Sequence, residues 1–272
     1  MNASLLDDIK YSTIDIAEAE EPMTTVIGIK CSDGIVLASD SQFTADKTKS
    51  LGGSKIFKIN DFIALGAAGY LDQMKILVEE LKQRIGDNIF SDLELKTKME
   101  DALLTIHKKY NIRWTTSLES PTLVFHLYAL VGAKLKDNTF NVYLLRFIPQ
   151  PWVEPVDTYE TIGSGGLFAS LVLKQQSRAP NYDNKTLSDL PIGYNVWIAS
   201  YTINEIKEFD TYSGGSTKVV VINKDGFNPI PDDKVLQYYN QGVDSISEAF
   251  SKALNDTEAK GLFKGIFPKD GA

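Results

Sequence analysis

Short apolar runs separated by turn residues fill the region from Thr24 to residue 69, and this pattern predicts two strand pairs. β-Branched residues alternate along TTVIGIK, and IVLASD follows a Ser32-Asp33-Gly34 turn, so the first pair is a hairpin that ends at Asp40. KIFKI and FIALGAAG, within residues 55–69, form the second pair. The polar residues 41–54 between the pairs are predicted to be a loop.

Apolar positions then recur at helical spacing in two consecutive segments. These positions are Met74, Leu77, Leu81 and Ile85 in the first segment, and Met99, Leu103, Ile106 and Tyr110 in the second. Two long strands are predicted next, TLVFHLYALVG (122–132) and TFNVYLLRFI (139–148), across a Lys136-Asp137-Asn138 turn. The middle of the chain therefore combines two helices with a second hairpin.

The last third begins with a link that contains three prolines and continues into YETIGSGGLFASLVL, which predicts a short strand, a glycine-rich turn and a helix start. A helix is predicted over 194–208, a strand over 216–223, and a helix over 234–256. The last helix would present Val243, Ile246, Phe250 and Leu254 on one face.

The order of these elements predicts the fold class. Helices clustered between antiparallel strands favour an α+β domain over a βαβ alternation. A four-layer αββα sandwich, with antiparallel sheets between helical layers, would use this many elements in one domain. No internal repeat is visible.

Composition and charge narrow the expected partners. The 272 residues are 43% apolar and 24% charged, with a net charge of −8, so nucleic acid and anionic membranes are not expected to bind. Cys31, His107 and His126 are the whole Cys and His complement, which leaves no His/Cys metal cluster, and we expect no metal or cofactor. No apolar run reaches the ~20 residues of a membrane span, and the acidic residues 1–23 lack the features of a signal peptide, so a cytoplasmic protein is expected.

Candidate chemistry is concentrated in a few places, namely Thr24-Thr25, Asp40, Lys55, and the segments 163–165 and 210–214. A threonine hydroxyl needs a neighbouring base, and the α-amino group of the same residue, with a pKa of about 8, is one recognised base. A lysine stabilises the alkoxide, an aspartate fixes the lysine, and a glycine N–H stabilises the oxyanion. The predicted hairpin returns Asp40 to the end of the strand at which Thr24 lies. Each residue alone is ordinary at a strand end.

In combination, these blocks resemble the β subunits of proteasomes and their bacterial peptidase relatives. TTVIGIKCSDGIVLASDSQFT is followed by SKIFKINDFIALGAAG, then by GSGG and DTYSGG, in the order and approximate spacing of that family. The resemblance extends from Thr24 to about Asn223. It implies an N-terminal-nucleophile (Ntn) hydrolase fold and threonine endopeptidase activity.

The resemblance also implies a role for each matching residue. Thr24 would be the nucleophile, with Asp40 and Lys55 as its charged pair and Gly69 (or Gly66) as the oxyanion glycine. Ser164 would orient the α-amine, and Asp210 and Ser213 would support the threonine terminus. Thr44 would align the substrate, and the specificity pocket would be lined by Phe43, Ala67 and Leu71. The apolar pocket residues favour cleavage after apolar or medium-sized side chains. Ordinary core packing explains Ala67 equally well, and a helix-capping turn explains GSGG.

The segment GAAGYLDQ departs from the family pattern, which keeps Gly66 as the alternative oxyanion glycine, and two further positions depart from it. Lys55 lies one residue closer to Thr24 than in typical members, and Met23 occupies the place of the usual glycine before the nucleophile. Three alternatives follow for residues 1–23. They are a propeptide that is cleaved off, or translation begins at Met23 and this methionine is then removed. In the third alternative they are retained, because the subunit is never processed.

The sequence thus predicts three regions, a propeptide or N-terminal extension (1–23), an Ntn-hydrolase domain (24–223) and a partly helical C-terminal extension (224–272). The expected partners are other ring subunits, of the same or different sequence, an unfolded polypeptide substrate, and an ATP-dependent unfoldase or α-type ring. Two alternative functions are a non-catalytic ring subunit, and a transpeptidase or ligase that uses Thr24 on one specific partner.

Overall fold

Strands and helices alternate in blocks along the part of the chain that the computed structural model describes, which is residues 24–45, 48–112, 127–147, 150–177 and 185–259. The strands there are β1 Val26–Cys31, β2 Gly34–Ser39, β3 Phe43–Ala45, β4 Thr48–Ser50, β5 Ile56–Asn60, β6 Ile63–Gly69, β7 Leu127–Lys134, β8 Phe140–Arg146, β9 Trp152–Val156, β10 Tyr159–Ile162, β11 Lys218–Asn223 and β12 Gly226–Ile230. The α-helices are α1 Leu71–Ile85, α2 Asp92–Ile106, α3 Gly166–Gln176, α4 Ile192–Phe209 and α5 Asp232–Ala259.

Two five-stranded antiparallel sheets form the centre of the molecule. The first has the order β10-β1-β2-β11-β12 and the second β5-β6-β7-β8-β9. In the first sheet, Val26, Ile35 and Leu37 face the second sheet, whereas Ile27 and Val36 face a helical layer. Both faces of β1 and β2 are therefore buried, which explains their nearly continuous apolar sequences.

Helices cover the outer face of each sheet. α1 and α2 pack on the second sheet, where Met74, Leu77 and Leu103 are fully buried. α3 and α4 pack on the first sheet, and α5 packs on α4. The αββα sandwich and the α+β class predicted from the sequence are confirmed.

Most predicted elements are present with small changes at their ends. α2 begins at a capping box in which Ser91 and Glu94 each bond the other's backbone N–H. It ends at Ile106, and the predicted helical residue Tyr110 lies in a π-helical turn, His107–Ile112. Residues 1–23, 122–126 and 148, and the side chains of Ile246, Phe250 and Leu254, lie outside the described parts.

Four short strands were not predicted. The loop prediction for residues 41–54 is wrong in part, because Phe43–Ala45 and Thr48–Ser50 pair as a small hairpin. β9 and β12 contain Pro155 and Pro229. Both are edge strands, where a residue without an N–H donor is tolerated.

Within the described residues, no helix is long and apolar enough to cross a membrane. The same residues hold no group of three or more His, Cys, Asp or Glu side chains arranged to bind a metal ion.

Candidate active site

The candidate site lies at one end of the first sheet, where β1 begins and β2 ends. The two strands pair in a register that sets Val26 opposite Ser39, and the Asp40 N–H donates to the Thr25 carbonyl over 3.3 Å. This register brings the last residue of the hairpin back beside its first. Thr24 and Asp40 meet for this reason, although 16 positions separate them.

Thr24, Asp40 and Lys55 form the centre of the site. The Thr24 hydroxyl donates to Asp40 Oδ1 over 2.7 Å, and Lys55 Nζ lies 2.8 Å from the same oxygen. Lys55 also donates to Thr24 Oγ1. The three residues are at most 1% exposed, so their mutual interactions are little screened by solvent.

Backbone N–H groups fix the Asp40 carboxylate from other directions. Thr25 N donates to Oδ1 over 3.0 Å, and Gln42 N and Gly214 N each donate to Oδ2 over 3.1 Å. Both oxygens are therefore held in one orientation. Such donors replace the hydrogen bonds to water that a buried carboxylate has lost.

Lys55 is a buried cation with two opposing influences on its proton. Burial, the larger influence, lowers the pKa of its ammonium, and the nearby charges of Asp40 and Asp210 raise that pKa. Its Nζ also lies 5.3 Å from the centroid of the Phe43 ring. Lys55 thus has a hydroxyl, a carboxylate and an aromatic face around it.

A second set of hydrogen bonds holds the backbone nitrogen of Thr24. Thr24 N donates to Ser164 Oγ over 3.2 Å, and Ser164 Oγ donates to Asp210 Oδ2 over 2.8 Å. Ser213 Oγ donates to the same carboxylate oxygen over 2.8 Å and lies 2.8 Å from Thr25 Oγ1. The structure therefore brings Ser164, Asp210 and Ser213 together on one side of Thr24.

The turn before α3 presses closely against the threonine. Gly163 has a φ of +93°, and a Cβ placed there would lie 2.0 Å from the Thr24 carbonyl oxygen. A glycine is needed at this position both for its backbone conformation and for space. The GSGG segment therefore contacts the candidate site as well as preceding a helix.

The remaining predicted residues belong to β3, β6 and the start of α1. Gly69 ends β6 with a φ of +149°, whereas Gly66 is mid-strand and packs against Val26. Ala67 is fully buried in the core beneath α1 and α2, and its N–H donates to the Lys55 carbonyl. Leu71 is the first residue of α1 and is 38% exposed.

Phe43 and Thr44 belong to the short strand β3. Phe43 is half-buried and packs against the core beneath α1 and α2. Thr44 pairs with Lys49 of β4. The residues proposed to contact substrate therefore come from the β3–β4 hairpin and from the junction of β6 and α1.

Three contributors to the site received no role from the sequence, although Thr25 and Gly214 lie in the segments that it singled out. The Thr25 hydroxyl and the N–H groups of Gln42 and Gly214 all bond Asp40 or Ser213. The antiparallel hairpin could have indicated Thr25, because it lies beside Asp40. Nothing in a residue's identity reveals the direction of its N–H, so Gln42 and Gly214 could be found only from the structure.

Comparison with known proteins assigns the family. The sequence model of the proteasome subunit matches residues 23–222. The chain belongs to the proteasome subunit family. The matched range contains every predicted site residue, from Thr24 to Ser213. Its relatives among curated proteins include proteasome subunits of the β type.

Three archaeal β subunits illustrate the level of similarity. The chain is 28% identical to proteasome subunit beta of Methanocaldococcus fervens over 230 residues, which are 80% of this chain and 89% of that protein. It is 26% identical to proteasome subunit beta 1 of Thermococcus sibiricus over 213 residues (78% and 92%). It is 27% identical to proteasome subunit beta of Nanoarchaeum equitans over 209 residues (75% and 95%).

The match to the proteasome subunit model ends before the last described strand and helix. It stops at residue 222, within β11, whereas β12 pairs with β11 from residue 226 to 230 and α5 follows. The first sheet therefore continues beyond the predicted domain boundary at residue 223.

Proposed function

We propose that this chain is the threonine endopeptidase subunit of a proteasome-like ring, with Thr24 as nucleophile after residues 1–23 are removed. The observation that carries the proposal is the position of Thr24 Oγ1, which contacts Asp40 and Lys55 in a buried site while the Thr24 nitrogen bonds Ser164. Membership of the proteasome family supports the same reaction class.

The first chemical step uses the terminal amine that removal of Met23 would create. The amine accepts the proton of Thr24 Oγ1, directly or through a water molecule, as Oγ1 attacks the carbonyl carbon of the substrate. The positive charge of Lys55 stabilises Oγ1 as its negative charge develops. Asp40 keeps Lys55 in place and opposes its loss of the proton.

The attack gives a tetrahedral intermediate, which then collapses to an acyl-enzyme. We propose that the N–H of Gly69 donates a hydrogen bond to the oxyanion. Gly69 is the last residue of β6, which pairs with β5, and Lys55 immediately precedes β5. The protonated amine returns its proton to the leaving nitrogen of the substrate, and the C–N bond breaks. Water then attacks the Thr24 ester, the amine again acts as base, and the peptide acid is released.

Ser164, Asp210 and Ser213 would orient that amine. Ser164 already accepts from the Thr24 nitrogen, and Asp210 accepts from both serine hydroxyls. Once the nitrogen is an amine, the same contacts would direct its lone pair toward Oγ1. The Asp210 charge would also favour the ammonium form that exists between the two proton transfers.

Substrate binding would involve the elements beside this centre. We assign the backbone of Thr44 to alignment of an extended, unfolded polypeptide, and Phe43, Ala67 and Leu71 to the specificity pocket. We also propose assembly with other ring subunits of the same or different sequence, delivery of substrate by an ATP-dependent unfoldase or an α-type ring, and a cytoplasmic location. Neither nucleic acid nor membrane is a proposed partner.

The non-catalytic alternative depends on whether the peptide bond between Met23 and Thr24 is cleaved. In the full chain, Thr24 N is joined to Met23 by a peptide bond, so it is an amide donor and not a base. A subunit that kept this bond would retain the site geometry without peptidase activity. A Thr24-dependent transpeptidase or ligase would need the same exposed amine and would differ in the acceptor of the acyl group.

The deciding experiment compares two forms of the protein, the full chain and a chain whose first residue is Thr24, released from a cleavable fusion. The proposal expects the second form to hydrolyse fluorogenic peptides after apolar residues, and its Thr24→Ala variant to be inactive. Mass spectrometry of the natively produced protein gives its first residue. Retention of Met1, with no product that starts at Thr24, would overturn the peptidase assignment, and an acyl adduct on Thr24 without net hydrolysis would favour the ligase.

A further inference from the structure

The Phe43 side chain is placed against the charged end of Lys55. The ammonium lies 5.3 Å from the ring centroid, within the range of a cation–π interaction. Lys55 itself is 1% exposed, so water cannot replace the ring as a neighbour of the charge. An aromatic face attracts the ammonium without offering a hydrogen-bond acceptor that would compete with Thr24 Oγ1 and Asp40 Oδ1.

Gly53 leaves the space that this ring position requires. A Cβ on Gly53 would lie 2.1 Å from Cε2 and 2.6 Å from Cδ2 of Phe43, closer than non-bonded atoms approach. The backbone of Gly53 is not in the left-handed region that favours glycine. Space for the Phe43 ring is therefore the specific requirement for glycine that the structure gives at this position.

Two further contacts fix the position of the Phe43 ring. β3 pairs Phe43 with Ser50 of β4, and the side chain packs against the core beneath α1 and α2. Its orientation is thus fixed by a strand pairing, a glycine and a core contact. A ring so constrained can hold a flexible lysine side chain in one conformation.

We propose that Phe43 is a positioning residue for the reaction, which holds the charged Lys55 ammonium at Thr24 Oγ1 and offsets part of the cost of burying it. This inference rests on the proposed function, because it assigns Phe43 to the step in which Lys55 stabilises Oγ1. It goes beyond the specificity-pocket role proposed above, which by itself would require the ring to contact only the substrate side chain.

The electrostatic part of the role can be tested without changing the shape of the site. Replacing Phe43 with 3,5-difluorophenylalanine preserves the ring and weakens its negative face. In the form that begins with Thr24, we expect kcat to fall about threefold to tenfold with little change in KM. The alkaline limb of the pH–rate profile is expected to move to lower pH, because the ring no longer favours the charged form of Lys55 among its charged neighbours Asp40 and Asp210.

Two ordinary substitutions complete the set. Gly53→Ala displaces the ring without straining the backbone and is expected to reproduce the effect of fluorination. Phe57→Leu is the matched control, since Phe57 packs against the same core and is not placed over Lys55. We expect Phe57→Leu to change stability but not the pH profile. A change only in the preference among substrate side chains would overturn the positioning role.

A readout independent of activity separates this inference from the proposed function. Urea unfolding of the full chain, for Phe43→Leu, Lys55→Met and the double variant, gives the coupling between the two side chains. If Phe43 and Lys55 stabilise each other but no form of the protein hydrolyses peptides, the contact between them is supported and the proposed peptidase function is wrong. An active wild type, with no coupling between Phe43 and Lys55 and an unchanged pH profile, would overturn the inference.

Discussion

Asp40 is a buried carboxylate whose surroundings replace the water it has lost. Its two oxygens accept from two side chains, one shortly before β1 and one immediately before β5, and from backbone N–H groups. The donors are Thr24 Oγ1, Lys55 Nζ, and the nitrogens of Thr25, Gln42 and Gly214. Full hydrogen bonding of a buried charge is what makes its burial tolerable.

Substitution of Asp40 by asparagine should therefore destabilise the fold strongly. The amide keeps the shape, but Lys55 remains as a buried cation without its counter-ion, and breaking a buried pair in this way costs about 3–5 kcal/mol. The matched control is Asp61→Asn, whose partner Lys58 is 49% exposed and whose loss should cost less than about 1 kcal/mol. Urea unfolding of the full chain measures both, and equal effects would contradict the argument.

Lys207 is a second lysine whose pKa is shifted, and its side chain is partly buried. Burial is the main cause that lowers its pKa from 10.5 to about 8, while Asp40 and Asp232 act in the opposite direction. Its Nζ donates to Thr217 Oγ1 over 2.6 Å and to Asn204 Oδ1 over 3.1 Å. Neither acceptor carries a negative charge, so the ammonium form is incompletely compensated.

The pH dependence that follows has a definite sign. Between about pH 8 and 10.5 the folded chain has lost the Lys207 proton while the unfolded chain retains it, so this residue makes the free energy of unfolding rise with pH. Lys207→Met and Lys207→Arg should both reduce that slope, because methionine never carries the charge and arginine keeps it throughout. Urea unfolding at several pH values tests this, and a wild-type slope in both variants would exclude Lys207 as its source.

Residue identity predicted the charged and hydroxyl groups of the site but not all of its hydrogen bonds. Thr24, Asp40, Lys55, Ser164 and Asp210 could be assigned because the sequence blocks that contain them resemble those of proteasome β subunits. The donors from Gln42 and Gly214 are backbone groups, whose direction depends on the tertiary structure. Ala67 is the reverse case, since its small apolar side chain fits a pocket wall and a core equally well.

At the scale of elements, the turn between β10 and α3 links the first sheet to the candidate site. Its Gly163 adopts a φ of +93° and lies against the Thr24 carbonyl, and the next residue, Ser164, bonds the Thr24 nitrogen. The backbone conformation of the Gly163-Ser164-Gly165 turn thereby sets the position of the Ser164 hydroxyl.

Gly163→Ala should disturb both stability and the site. A left-handed backbone at a non-glycine residue costs about 1–2 kcal/mol, and the clash with Thr24 adds to it. Gly193→Ala is the control, because Gly193 lies in α4 with open space around it and alanine there should be neutral or stabilising by up to about 1 kcal/mol. Thermal unfolding of the two variants gives the comparison, and similar melting temperatures would contradict the close contact.

Periodicity predicted the long elements and failed at the short ones. α1, α2 and α4 have apolar positions at helical spacing along most of their length, so their existence was clear from the sequence. β9 and β12 carry Pro155 and Pro229, and only their places at the sheet edges make them strands. β3 and β4 are three residues each, too short for alternation to be informative.

At the scale of the whole molecule, α5 covers an aromatic surface on α4. The Tyr239 ring stacks on Tyr201 with centroids 6.3 Å apart, and a Cβ on Gly242 would lie 1.5 Å from Trp197 Nε1. Tyr194 contacts Trp197 edge to face. The C-terminal helix therefore packs on its own chain.

Removal of α5 should expose this surface and weaken the fold. A chain that ends at Ile230 would uncover Trp197 and Tyr201, and burial of a large apolar side chain contributes about 1.5–3 kcal/mol, so a loss of several kcal/mol is expected. The control ends at Ala259, where α5 is complete. Thermal unfolding and binding of a hydrophobic dye measure the difference, and equal behaviour of the two chains would show that α5 is dispensable for stability.

The distance along the chain between the parts of the candidate site has a consequence for biosynthesis. Thr25 and Ser213 touch although 188 positions separate them, and β1 lies between β2 and β10. A ribosome releases Thr24 long before it releases Ser164 and Asp210. The nascent chain thus carries a threonine whose supporting groups do not yet exist, and the site can assemble only when nearly all of the polypeptide has been made.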